Sequence, residues 1–168
     1  MKKLIFISII FLFSISAFSQ VKIGFVNSEA IIKELPEAQD AQRKLDNLVQ
    51  EWQSELRKLE SEWKQKYDNY DRNKLLMSDQ MRAEKERELV ELENRIMQYR
   101  EQKFGQNGEL FQKQEEFMRP IHNKIFNALE KIAKDEGYDF VFDKSGDILL
   151  LYANEKYDLT KKVLDIIK

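Results

Sequence analysis

From Pro36 onward the chain carries an apolar stripe that only a long helix can gather onto one face. Leu45, Leu48, Trp52, Leu56, Leu59, Trp63, Tyr67 and Tyr70 fall in seven steps over 25 residues, close to the helical period of about 3.6. The positions between them are mostly Glu, Lys, Gln, Arg and Asp. Such a stripe predicts an amphipathic helix, partly of coiled-coil type. The pattern lapses at NKLLMSDQM, where Ser78 suits an N-cap and Asp79 a first turn. It resumes at Met81 and runs through Leu89, Leu92, Ile96, Tyr99, Lys103/Phe104, Leu110, Phe117, Ile121, Ile125, Leu129 and Ile132, and Gly137 supplies a stop. Two long helices around one short lapse predict an antiparallel helical hairpin with its tip near residues 75–78. That tip sets Pro36 opposite a residue near 116, close to Pro120, so the two prolines are expected to mark the root. Arms of about 40 residues at roughly 1.5 Å each would reach about 60 Å. Gly105 and Gly108, inside the second arm, read as a local weakness or kink costing about 1 kcal/mol each against Ala.

The segments flanking the hairpin have a different grain. Val21, Ile23 and Phe25 alternate with Lys22 and Gly24, a half-buried strand. Asn27 and Ser28 can cap a short helix, EAIIKEL, which Leu35–Pro36 ends. Behind the hairpin, Phe140–Asp143 and Ile148–Tyr152 read as two strands around a Lys144–Asp147 turn. Ile148–Tyr152 is apolar on both faces, so it reads as a strand buried on both sides. Asp158 then caps a last helix with Leu159, Val163, Ile166 and Ile167 on one face. Three short strands are marginal alone. Further strands are expected from other copies of the chain.

The first 19 residues stand apart. Lys2 and Lys3 precede the apolar run Leu4–Phe13, and Ala17 and Ser19 form a small-residue site before Gln20. This predicts a secretory signal peptide cut near Ser19/Gln20. It is shorter than the roughly 20 apolar residues a spanning helix needs. The 28 Lys and Arg, less Lys2 and Lys3, leave 26 against 30 Asp and Glu, a net charge of −4. That balance does not point to nucleic acid. With 35% charged residues and only 5 Gly and 2 Pro, the composition suits long surface helix.

Candidate chemistry is sparse. The sequence has 0 Cys and 1 His, which excludes thiol chemistry and leaves His122 without partners of its own kind. Acidic residues at helical spacing, such as Glu84 and Glu88, read as a solvated face. Asp143, Ser145 and Asp147 lack the ligand count of a calcium loop. No Ser lies in a Gly-x-Ser-x-Gly elbow. No enzyme, metal or cofactor is expected. The aromatic stripe is read mainly as hairpin packing. Its alternative role is binding apolar partners, for which Trp63, Tyr67, Tyr70, Leu75, Leu76, Met77, Met81 and Tyr99 are the candidates.

Together, VKIGFVNSEAI, the charged helical hairpin, GYDFVFDKSGDILLLYAN and DLTKKVLDIIK resemble the Skp/OmpH family of periplasmic chaperones for outer-membrane proteins. The stretches ELPEAQDAQRKL and EWQSELRKLE, with Trp52, look like the form found in Bacteroidota-type bacteria. The resemblance implies an α+β, mostly α fold: a helical hairpin, residues 36–116, projecting from a small β-containing trimerisation body, residues 20–35 and 117–168. Val21, Ile23, Phe25, Phe140, Phe142, Ile148, Leu150 and Leu151 would build that body. It further implies a periplasmic homotrimer that holds unfolded outer-membrane β-barrel chains between its arms without ATP, and at most peripheral contact with membranes. The best-known members are rich in Lys and Arg along their arms. Here both charges alternate, and no lipopolysaccharide-binding residue is carried over. The alternative is a non-catalytic coiled-coil adaptor of the cell envelope that docks one folded partner.

Overall fold

The computed structural model describes residues 20–146 and 150–168. The expected signal peptide, and Ile148 with Leu149, lie outside them. The elements run β1 (Ile23–Val26), α1 (Ser28–Glu34), α2 (Pro36–Asn73), α3 (Asp79–Phe104), α4 (Glu109–Glu136), β2 (Phe140–Asp143) and α5 (Thr160–Ile167), with 3-10 turns at Lys74–Leu76 and Glu155–Tyr157. The fold is the expected mostly helical α+β arrangement, a long helical hairpin with a small sheet.

Local chemistry sets the helix ends. The Asn27 side chain accepts from Ala30 N–H to start α1. Pro36 takes the first position of α2, where its missing N–H costs nothing. The 38 residues of α2 reach about 60 Å at roughly 1.5 Å per residue. Lys74–Leu76 turns the chain, and Ser78 caps α3 by accepting from Met81 N–H at 3.3 Å. At the end of α4, Gly137 adopts the left-handed conformation, φ 68° and ψ 44°. Tyr138 N–H then returns to the Ala133 carbonyl at 2.9 Å, closing a Schellman-type cap.

The two strands pair in parallel, Ile23 beside Phe140 through Val26 beside Asp143. This differs from the expected strand pair within residues 140–152. Leu150–Tyr152 form no strand, and β2 finds its partner at the front of the chain. Parallel strands need a crossover connection, and here the crossover is the whole hairpin. On the far side of β1, Leu159 N–H donates to Phe25 O at 2.8 Å, giving a single bridge between Phe25 and Asp158. The core beneath the sheet joins Val26, Ile31, Leu35, Ala38 and Ala41 to Ile121, Ile125, Ala128 and Ile132, closed by Leu159, Val163, Leu164 and Ile167. The roots of α2 and α4 therefore share one core with the strands.

The second arm is two helices, not one. The chain leaves helical geometry at Gly105 and re-enters it after Gly108. The break offsets the register. Lys66 approaches Glu88 at 3.9 Å near the tip, as expected, but at the root Glu37 meets Lys124 at 2.6 Å rather than a residue near 116. Pro120 does not end a helix: α4 runs through it from Glu109 to Glu136. It sits on the exposed side, where water can take the carbonyl its ring strands. At the break itself a Cβ on Gly105 would overlap the Glu101 carbonyl oxygen, and one on Gly108 would stand 2.9 Å from Gly105 N and 3.0 Å from Gln102 O. The joint is built for glycine by close approach of backbone.

The double variant Gly105→Ala/Gly108→Ala is therefore expected to lose about 1–3 kcal/mol of stability in urea unfolding, the range for forced overpacking. Gly146→Ala, where a Cβ meets only Asp143 O at 3.7 Å, should stay within about 0.5 kcal/mol of the parent.

Candidate binding surfaces

Two surfaces are more apolar than a hairpin and a two-stranded sheet can cover. The first is the outer face of the sheet. Strand alternation puts Ile23 and Phe140, then Phe25 and Phe142, on one side, and Gly24, Val26, Val141 and Asp143 on the other. Val26 and Val141 pack into the core, so the first set faces outward. Val21, Ile23, Phe140 and Phe142 are all exposed. Phe25 alone is covered, with the Lys144 ammonium 4.9 Å from its ring centroid. The Leu150–Ala153 stretch passes beside this face. Leu151 is 87% and Tyr152 84% exposed. Among the described residues, no hydrogen bond ties the backbone of Leu150–Ala153 to the rest of the chain. Leu150 and Leu151 are thus exposed in the single chain.

The second surface lies on the arms. Leu45, Trp52 and Leu59 of α2 and Leu89 and Leu92 of α3 are buried between the helices. Trp52 meets Phe104 edge-on at 6.0 Å, and the Lys103 ammonium lies 5.0 Å from the Trp52 ring. The candidates drawn from the sequence divide into three groups. Trp63 is half-buried, stacked on Tyr67 at 5.1 Å. Tyr70 is half-buried and donates its hydroxyl to Glu86, which raises its pKa above the ordinary phenol value. Tyr99 is half-buried near Lys103, and burial raises its pKa likewise. Of these three, Tyr70 makes its contact across the two arms, and Trp63 and Tyr99 make theirs within their own helices. Leu75 at 90%, Leu76 at 87% and Met81 project at the tip, with Met77 half-buried and Tyr67 partly open beside them.

Sequence reasoning missed a further set. Val90 and Met97, two turns apart on one face of α3, are exposed, as are Phe111 and Phe126 on α4. The signal was present: seven-residue spacing from Val90 to Met97 marks a second stripe on a helix whose first stripe is already used. Phe126 forms the rim of a groove of about 580 Å³ with His122, Leu129 and Val141, over Ser28 and Asp143. His122 is exposed there.

Polar groups at the sheet act as fasteners. Asp143 accepts from Ser145 Oγ at 2.6 Å, Ser145 N at 3.0 Å, Ser28 N at 3.2 Å and the Ser28 hydroxyl. It thereby ties the end of β2 to the start of α1, and Asp143 and Ser145 use their side chains in hydrogen bonds to each other and to Ser28, while Asp147 lies outside the described residues. Asp158 accepts from Thr160 N at 2.9 Å and Lys144 Nζ at 3.0 Å, and Thr160 Oγ1 accepts from Asn27 N at 2.9 Å. At the opposite edge, Lys22 Nζ donates to the Glu136 carbonyl at 2.7 Å, where a cation complements the end of α4. Lys22 N donates to Asp139 Oδ2 at 2.7 Å. Burial pushes the Asp143 and Asp158 carboxyls up, but their hydrogen bonds outweigh it, and both are held below the ordinary Asp value. Among the described residues no cluster of His, Asp or Glu could hold a metal ion, and no helix is long and apolar enough to cross a membrane.

Fold and surfaces together define a body-and-arm protein with unpaired apolar faces. The family described as Outer membrane protein (OmpH-like) matches residues 22–167. The chain is 30% identical over 152 residues to Chaperone protein Skp of Yersinia enterocolitica, covering 88% of this chain and 86% of that one. It is 28% identical over 161 residues to Chaperone protein Skp of Photorhabdus luminescens, covering 93% and 91%. A solved structure of a putative outer membrane chaperone (OmpH-like) from Caulobacter crescentus CB15 superposes with a TM-score of 0.70 over 88% of this chain and 84% of that one, at 11% identity. The chain belongs to the Skp/OmpH chaperone family.

The fasteners carry a pH signature. Asp143 and Asp158 bind protons less tightly folded than unfolded, so they stabilise the body above the ordinary Asp pKa of about 3.9. That stabilisation is lost as pH falls from there through the lower folded values. Urea midpoints measured down this range should drop. Asp143→Asn should be less stable at neutral pH and show a shallower acid decline. A parent-like slope in the variant would contradict the assignment. Asp143→Ala is expected to cost about 2 kcal/mol, the scale for hydrogen bonds to a charged group.

Proposed function

We propose that this protein is an ATP-independent holdase of the periplasm that keeps unfolded outer-membrane β-barrel proteins from aggregating. The observation that carries the reading is the apolar surface the arms leave uncovered: Leu75, Leu76 and Met81 at the tip, and Val90, Met97 and Phe111 along the second arm. Exposed residues of this kind, set among alternating charges, suit weak adaptable contact with many extended apolar segments. The arms also lack the polar convergence of a small-molecule or catalytic pocket. Membership of a chaperone family, and relatives named Chaperone protein Skp, support the same reading. The non-catalytic role follows from it.

The protein works as a homotrimer on this reading. Residues 20–35 and 117–168 form the shared body and residues 36–116 the arms. The exposed outer sheet face and the unbonded Leu150–Ala153 backbone support association, since edges and apolar faces of this kind are natural pairing surfaces. The barrel chain lies between the arms. Gln20 would start the mature chain.

Dilution of a urea-unfolded β-barrel protein into buffer tests the reading. With stoichiometric amounts of the protein, turbidity is expected to stay near baseline, and Leu75→Ser/Leu76→Ser should weaken this protection several-fold without altering helicity. No protection, even at low salt, contradicts the holdase. Recovery of one stoichiometric folded partner from envelope extract would favour the adaptor instead. Light scattering should give the mass of three chains, and a stable single chain would contradict the trimer.

A further inference from the structure

The joint between α3 and α4 contains Asn107–Gly108, the one Asn–Gly pair formed by the nine asparagines of the sequence. We propose that Asn107 is a site of spontaneous deamidation whose rate is controlled by opening of this joint. The reaction needs only water. The backbone nitrogen of Gly108 attacks Cγ of Asn107, and a new C–N bond closes a succinimide. The Cγ–Nδ2 bond breaks, and the amide leaves as ammonia with the proton given up by the backbone nitrogen. Water then opens the ring at either carbonyl. One product is aspartate; the other is isoaspartate, in which the main chain runs through the side-chain carbon.

Three observations place the reaction here. Asn107 is exposed, so its amide is open to water. The following residue carries no Cβ to obstruct attack, and the fold does not permit another: a Cβ at position 108 would meet Gly105 N at 2.9 Å and Gln102 O at 3.0 Å. The joint therefore installs the most reactive successor an asparagine can have. The closed joint, however, restrains the nucleophile. Gly108 is buried, and its N–H donates to Gly105 O at 2.9 Å. The Asn107 carbonyl accepts from Gln112 Nε2 at 3.2 Å. Across the joint, Lys103 Nζ reaches Glu109 Oε2 at 2.5 Å and Gln102 Nε2 reaches Glu109 Oε1 at 3.0 Å. Attack thus requires a local opening, an event well below global unfolding in cost. Once formed, isoaspartate lengthens the backbone by one carbon at a joint with no slack. It also adds a carboxylate beside Glu109.

The purified protein, folded or in urea, is held at mildly alkaline pH and sampled by peptide mapping with isoaspartyl methyltransferase labelling. Asn107 is expected to convert before every other asparagine in both states, and several-fold more slowly when folded. Lys103→Met, which removes the tie to Glu109, should narrow that gap while the circular dichroism spectrum is retained. Another asparagine converting first in the folded protein, or equal rates at Asn107 in both states, would overturn the proposal. So would an unchanged gap in Lys103→Met, or folded Asn107 remaining intact after the unfolded chain has fully converted.

Discussion

The parallel pairing of β1 with β2 is the constraint on which the rest of the molecule depends. Two adjacent parallel strands must enter their sheet from the same end, so the chain between them has to leave and come back. In this protein the excursion is α2 out and α3 with α4 back. The pairing holds only four residues of each strand, too little to persist alone. Its surroundings supply the rest: Lys22 on the end of α4, Asp143 on the start of α1, and Leu159 on the free side of β1. Residues distant in sequence are thus held at one point, and the core from Ala41 to Ile121 is shared between arm roots and strands.

Away from that point each arm has only the other arm to lean on. One stripe per helix is buried, with Trp52, Leu59, Leu89 and Leu92 as its anchors. Ion pairs such as Arg100 with Glu60 at 2.8 Å are exposed and contribute about 0–1 kcal/mol each, so they tune register more than they hold the arms together. Any apolar residue off the stripe then stays in water. Val90, Met97 and the two tip leucines are in that position, and in a chaperone such residues are what an unfolded partner would meet. The structural economy that makes an arm long and thin also leaves apolar residues on its surface in water.

Much of this was legible from the residues because helical periodicity over many turns has few alternative explanations. The hairpin, its turn after Asn73 and the strands at Ile23 and Phe140 were all readable. Four features were not. Leu150–Tyr152 is apolar and β-compatible, but a strand needs a neighbour, and periodicity names no neighbour. Gly105 and Gly108 looked like a kink in one helix. Only the contacts with Glu101 and Gln102 reveal a complete break, and that break moved the partner of the Pro36 region away from residue 116. Pro120 read as a boundary because proline usually is one, yet on an exposed helical face the lost hydrogen bond is recoverable from water. The second arm's outward stripe was hidden by the stronger inward one, since reading for the helix that packs discards the residues that do not.

The central claim is that partner chains are held by the apolar residues the hairpin cannot bury. It is tested most directly by photocrosslinking from single positions in the assembled protein to a bound unfolded β-barrel chain. Groups placed at Leu76 and Met97 should capture that chain, while one at Leu92, buried in the hairpin, should not. Capture confined to the outer sheet face, or equal capture from Leu92 and Met97, would contradict the account.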